Sequence, residues 1–97
     1  MMNNISIYDE IKAIESLIEE ASLFLSDYKL SGAKHYLSVG ENQFAFEYIM
    51  LEIIENNIKI EFDNKNLKNI AIHLKMNENE CNDDCFWEKF NNYLGML

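Results

Sequence analysis

The chain has 97 residues, 48% of them apolar, with no proline and only three glycines. That length makes one domain the expectation, the apolar content sets aside intrinsic disorder, and the scarcity of turn formers disfavours sandwiches and barrels. Net charge is −9, from 17 acidic residues against 8 basic ones that are all lysine. This excludes the usual electrostatic route to nucleic acid and leaves two readings: an acidic surface kept for solubility, or one that attracts a basic partner.

Residues 1–8, MMNNISIY, lack the basic start and apolar core of a secretion signal, so a cytoplasmic location is expected. Ser6 then opens the first helix, with Asp9 three positions on as in a capping box. Ile7, Ile11, Ile14, Ile18, Ala21 and Leu25 recur at spacings of three and four, widened by Leu17, Phe24 and Tyr28, which predicts an amphipathic helix over about 7–26. Its outer face carries Glu15, Glu19 and Glu20, whose mutual repulsion is small on a solvated helix and invites a cationic partner. Ser26 or Ser31 caps a short helix predicted over 32–39, which Gly40 ends.

The stretch GENQFAFEYIMLEIIENNIKI, Gly40 to Ile60, organises the rest. Nine of eleven residues between Phe44 and Ile54 are apolar, interrupted only by Glu47 and Glu52, and no single stripe accommodates them. A membrane span needs about 20 apolar residues, and this run is too short and too acidic. A central helix over about 41–56, wrapped by the others, is therefore expected, with Asn42 as its N-cap and Asn56 and Asn57 ending it. Glu47 lies among apolar neighbours, so it either accepts hydrogen bonds from a lysine, a tyrosine or loop amides, or stays exposed to a partner. Ile58 and Ile60 alternate with polar residues, as in an extended crossing.

Asp63 or Asn64 caps a fourth helix over about 65–76, with Leu67, Ile70, Ala71 and Leu74 on one face. Residues 77–84, NENECNDD, read as a surface loop, and Asp83 or Asp84 caps a last helix. Phe86, Trp87, Phe90, Tyr93 and Leu94 form its aromatic face, and Gly95 ends it. The fold class is thus all-α, a single bundle of about five helices around 41–56.

Chemistry-bearing motifs are sparse. Cys81 and Cys85 are too few for a disulfide framework, and zinc would need two further ligands, so free thiols and no metal are expected. His35 and His73 have no nucleophile motif beside them, and there is no phosphate loop, dinucleotide fingerprint or H-E-x-x-H. A non-enzymatic protein without a cofactor is expected.

The run HYLSVGENQFAFEYIMLEIIENNIKI, His35 to Ile60, resembles bacterial immunity proteins of the MafI-like and contact-dependent growth inhibition type. The pattern is a short helix, G-E, an apolar A-x-E helix and an I-x-I crossing. The matching positions are Gly40, Glu41, Ala45, Phe46, Glu47, Ile58 and Ile60, within about a quarter of the chain. The resemblance implies an all-helical cytoplasmic protein that binds and blocks one cognate toxin domain, commonly a nuclease. It supplies no binding residues; Gly40, Glu41 and Glu47 belong to its structural motif. Charge supplies the candidates for toxin contact: Glu15, Glu19 and Glu20 on the first helix, and Glu78, Glu80, Asp83 and Asp84 in the loop. A 1:1 complex is expected, with no membrane or nucleic-acid partner. The competing expectation is an acidic secretion chaperone or adaptor.

Overall fold

A computed structural model describes residues 6–78 and 83–95, apart from the side chain of Ile7. Glu80 and Cys81 lie outside the described residues, as does the side chain of Ile7 in the predicted stripe. Within them the protein is all-α: α1 (Ile7–Ala21), α2 (Asp27–Ser38), α3 (Asn42–Glu55), α4 (Asn64–His73) and α5 (Phe86–Gly95), with no strand.

The Ser6 capping box forms as the sequence predicts. Asp9 donates its backbone N–H to Ser6 Oγ at 3.1 Å, and Ser6 returns its N–H to Asp9 Oδ2 at 3.0 Å. That backbone donor, followed by the serine hydroxyl, holds the Asp9 carboxyl below its ordinary range.

At the α1–α2 turn two boundaries differ from the sequence expectation. α1 ends at Ala21, not near Ser26: beyond it the chain tightens into turns, Leu23 donating to the Glu20 carbonyl at 3.3 Å and Phe24 to the Ala21 carbonyl at 2.9 Å, each three residues back. Phe24 and Tyr28 therefore do not extend the buried stripe; both are exposed. α2 starts at Asp27, not at Gly32, with Ser26 in the N-cap position and Ser31 inside the helix, its hydroxyl donating to the Tyr28 carbonyl. Gly32 thus sits mid-helix, where a Cβ would overlap the Tyr48 ring. A helix-interior glycine costs about 1 kcal/mol relative to alanine; here it lets α2 and α3 approach with Tyr48 lying against the α2 backbone.

α2, α3 and α4 stop in the same way. Gly40, Asn57 and Lys75 have φ of +79°, +52° and +62°. In each case the next residue, Glu41, Ile58 or Met76, reaches back to the carbonyl of Tyr36, Ile53 or Ala71, at 2.9, 3.0 and 3.0 Å. This is the Schellman motif, which satisfies otherwise orphaned carbonyls. At α3 and α4 it also drives an apolar residue, Ile58 or Met76, into the core beside the last turn. It places the end of α4 at His73, three residues before the expected Met76. Of the three, only Lys75 has a Cβ that disfavours left-handed backbone with no Asn-type side chain to compensate. Lys75→Gly is expected to raise the unfolding free energy by about 0.5–1 kcal/mol in urea denaturation, less what the freer unfolded chain takes back. An unchanged or lower value would show that the exposed lysine holds a contact worth more than the strain.

α3 is the centre, packing against α2, α1 and α5. Ala45, Phe46, Ile49, Met50 and Ile53 are buried along it. Phe46 is enclosed edge-on by Phe86 and Phe90 of α5, at ring separations of 6.4 and 5.9 Å, and those two rings stack on each other at 5.6 Å. The buried residues of all five helices form one cluster. The helix is not wrapped on every side: Phe44, Tyr48 and Leu51, at i, i+4 and i+7, remain half-buried. Glu41 rather than Asn42 occupies its N-cap position, and no side chain caps it.

The crossing from α3 to α4 buries Ile58 and Ile60 and exposes Lys59 and Glu61, the alternation that the sequence predicts. Tyr93 of α5 donates its hydroxyl to the Ile58 carbonyl at 2.6 Å and ties the crossing to the last helix. Asp63 is the N-cap of α4, accepting the Asn66 N–H at 3.2 Å.

Candidate functional site

The predicted acidic contact residues separate into two regions, and two of them are engaged inside the fold. Glu15 and Glu19 are exposed on α1. They line a groove of about 670 Å³ with Ile11 and Ile18 of α1 and Lys34 and Leu37 of α2. Glu20 is half-buried and accepts the Glu61 N–H at 2.5 Å, so it anchors the crossing segment. Glu19 and Glu20 also line a second depression of about 560 Å³ with Ser16, Ser22 and Leu23. Glu19 therefore stands on the ridge between the two.

Asp83 belongs to the architecture. Its Oδ1 accepts the Cys85 N–H at 2.8 Å and its Oδ2 takes the Lys89 ammonium at 2.9 Å. Lys89 first, and the Cys85 amide second, hold its carboxyl below the usual range, and the same pairing raises Lys89. The Asp83 N–H donates to Glu47 Oε2 at 2.7 Å. Glu47 is 3% exposed, so of the two expectations for it, acceptance of a loop amide is the one realised. Glu78 and Asp84 are exposed.

What the sequence missed lies at the turn from α1 to α2. Leu23, Phe24 and Tyr28 are 80%, 65% and 86% exposed, within six consecutive positions. Scattered exposed apolar residues are ordinary; three large ones at a single turn make it a candidate interaction site. Periodicity could not find it, because the spacing continues through the turn while the helix does not.

A second polar cluster joins three helices. Glu10 is buried, with His73 Nε2 at 2.6 Å from its Oε2 and Asn42 Nδ2 donating to its Oε1 at 3.0 Å. Gln43 adds a hydrogen bond to the Leu74 carbonyl at 2.9 Å. This arrangement fastens α1, α3 and α4 together at one end, and it accounts for His73. Among the described residues no group of three or more His, Cys, Asp or Glu side chains is placed to hold a metal ion, and no helix is long and apolar enough to cross a membrane. Cys85 is exposed.

No family model, curated protein or solved structure matches the chain. Within residues 35–60, Gly40 makes the Schellman turn, Glu41 opens α3 and Glu47 anchors the segment before α5.

Proposed function

We propose that the chain is a cytoplasmic immunity-type protein that binds a basic toxin domain, a nuclease by the charge its substrate demands, in a 1:1 complex, and that it acts by contact rather than catalysis. The observation that carries this is the corner formed by Leu23, Phe24 and Tyr28 beside the exposed acids Glu15, Glu19 and Asp27. Large apolar side chains supply the desolvated centre of an interface, and surrounding charge sets encounter rate and partner choice. A nuclease cleft built for phosphate offers the complementary charge. The resemblance of residues 35–60 to immunity proteins points the same way.

The test is coexpression with the variable C-terminal domain of a large secreted protein encoded immediately upstream, scored for cell survival. Survival with the wild type and its loss with Phe24→Asp support the proposal; killing despite wild-type expression overturns it. In a purified pair, Glu15→Lys with Glu19→Lys should slow association about tenfold at low salt and flatten its dependence on ionic strength. Glu20 is left intact because it holds the Glu61 amide. Identical rates and salt slopes would assign the acids to solubility. The same exposed corner also suits a secretion chaperone holding an extended segment. A chaperone would leave the toxin domain active, and the survival assay separates the two.

A further inference from the structure

The half-buried strip of α3, Phe44, Tyr48 and Leu51, faces Tyr36 of α2. Tyr36 lies 5.6 Å from the Phe44 ring and 6.4 Å from the Tyr48 ring, inclined to them by 55° and 56°. With Leu51, Glu47 and Asp83 these rings line an open cavity of about 370 Å³. Three inclined aromatic rings and two acidic residues thus line one open cavity, the residue types that suit a cation. Ring faces carry the negative lobe of the quadrupole, and a carboxylate at the rim adds to it. Lys89 pairs with Asp83 and occupies that carboxylate from the α5 side.

We propose that this pocket receives the side chain of a lysine or arginine carried by the polypeptide partner. The source is a protein side chain because the chain as a whole, at −9, selects a basic partner, and because the pocket opens outward rather than enclosing a free molecule. The proposal rests on the protein-binding reading above for its source, but the pocket's chemistry is independent of it. The fold makes one provision for the receptor: Gly32 leaves room for the Tyr48 ring, which a Cβ there would displace.

The experiment is an NMR titration of the isotope-labelled full chain, with no toxin present, using four probes. These are the N-acetyl methylamides of lysine, arginine and norleucine, and tetramethylammonium. The lysine or arginine amide should shift signals of Tyr36, Phe44, Tyr48 and Leu51 and bind about five-fold or more tightly than the neutral norleucine amide. Tyr48→Leu, which keeps apolar volume but removes the ring face, and Gly32→Ala, which displaces the ring while favouring the helix, should each abolish that preference with the helical signal retained. Equal binding of norleucine would make the pocket a plain apolar groove and overturn the proposal. Tighter binding of tetramethylammonium than of either amide would assign it to a free small cation and overturn the polypeptide source. Absence of shifts up to the solubility of the amides overturns it outright. Survival in coexpression together with a silent titration would sink the pocket and spare the immunity function; a positive titration without protection would do the reverse.

Discussion

Phe46→Ala is expected to lower the unfolding free energy by about 3–5 kcal/mol. Phe46 is fully buried, and its partners Phe86 and Phe90 sit on a different helix, so removing the ring leaves a void that one backbone cannot collapse to fill. Urea denaturation read by circular dichroism checks it, with Phe24→Ala as the contrast. Phe24 is exposed, and its truncation should change stability by no more than about 0.5 kcal/mol. Equal losses for the two phenylalanines would mean that the α1–α2 corner is packed and that α3 is not the centre of the core.

Glu47→Ala is expected to cost about 1–3 kcal/mol, because it strands the Asp83 N–H that now donates to a buried carboxylate. Glu47→Gln retains an acceptor and should recover part of that loss. Glu19→Ala, on the exposed face of α1, should be nearly neutral. Melting temperatures that coincide for Glu47→Ala and Glu19→Ala would show that the Asp83 amide finds another acceptor without cost. The Asp83 carboxyl adds an acid sensitivity of its own. Its folded-state value lies below the ordinary one, so its contribution is complete above the ordinary carboxylate range and fades as pH falls through the lowered value.

What could be read in the sequence was set by how local its cause is. The Ser6–Asp9 box, the Asp63 cap and the Gly40 turn depend on residues within three or four positions, and each forms as expected. Glu47 was legible because an acid flanked on both sides by apolar residues must find donors. The start of α2 was not, since Gly32 looks like a boundary until Tyr48, sixteen residues on, is known to need its space. Lys75 gives no local sign of left-handed backbone; the turn there goes with the burial of Met76 beyond it. The Glu10–His73 pair and the facing of Tyr36 by Phe44 and Tyr48 arise from packing between helices, for which spacing along one helix holds no information. Likewise charge named seven candidate acids, but only the fold distinguishes Glu15 and Glu19, free to meet a partner, from Asp83 and Glu20, which hold backbone amides.

The enclosure of Phe46 by α5 also bears on how the protein emerges from the ribosome. Phe86 and Phe90 are added 40 and 44 residues after Phe46, about 2–9 s later at ordinary elongation rates. During that interval α1 to α3 can already pair, since their contacts are close in sequence, yet the Phe46 ring has no lid. Folding is therefore completed only when the last helix docks, and a chain stalled before Phe86 presents a ready hydrophobic surface to chaperones and proteases.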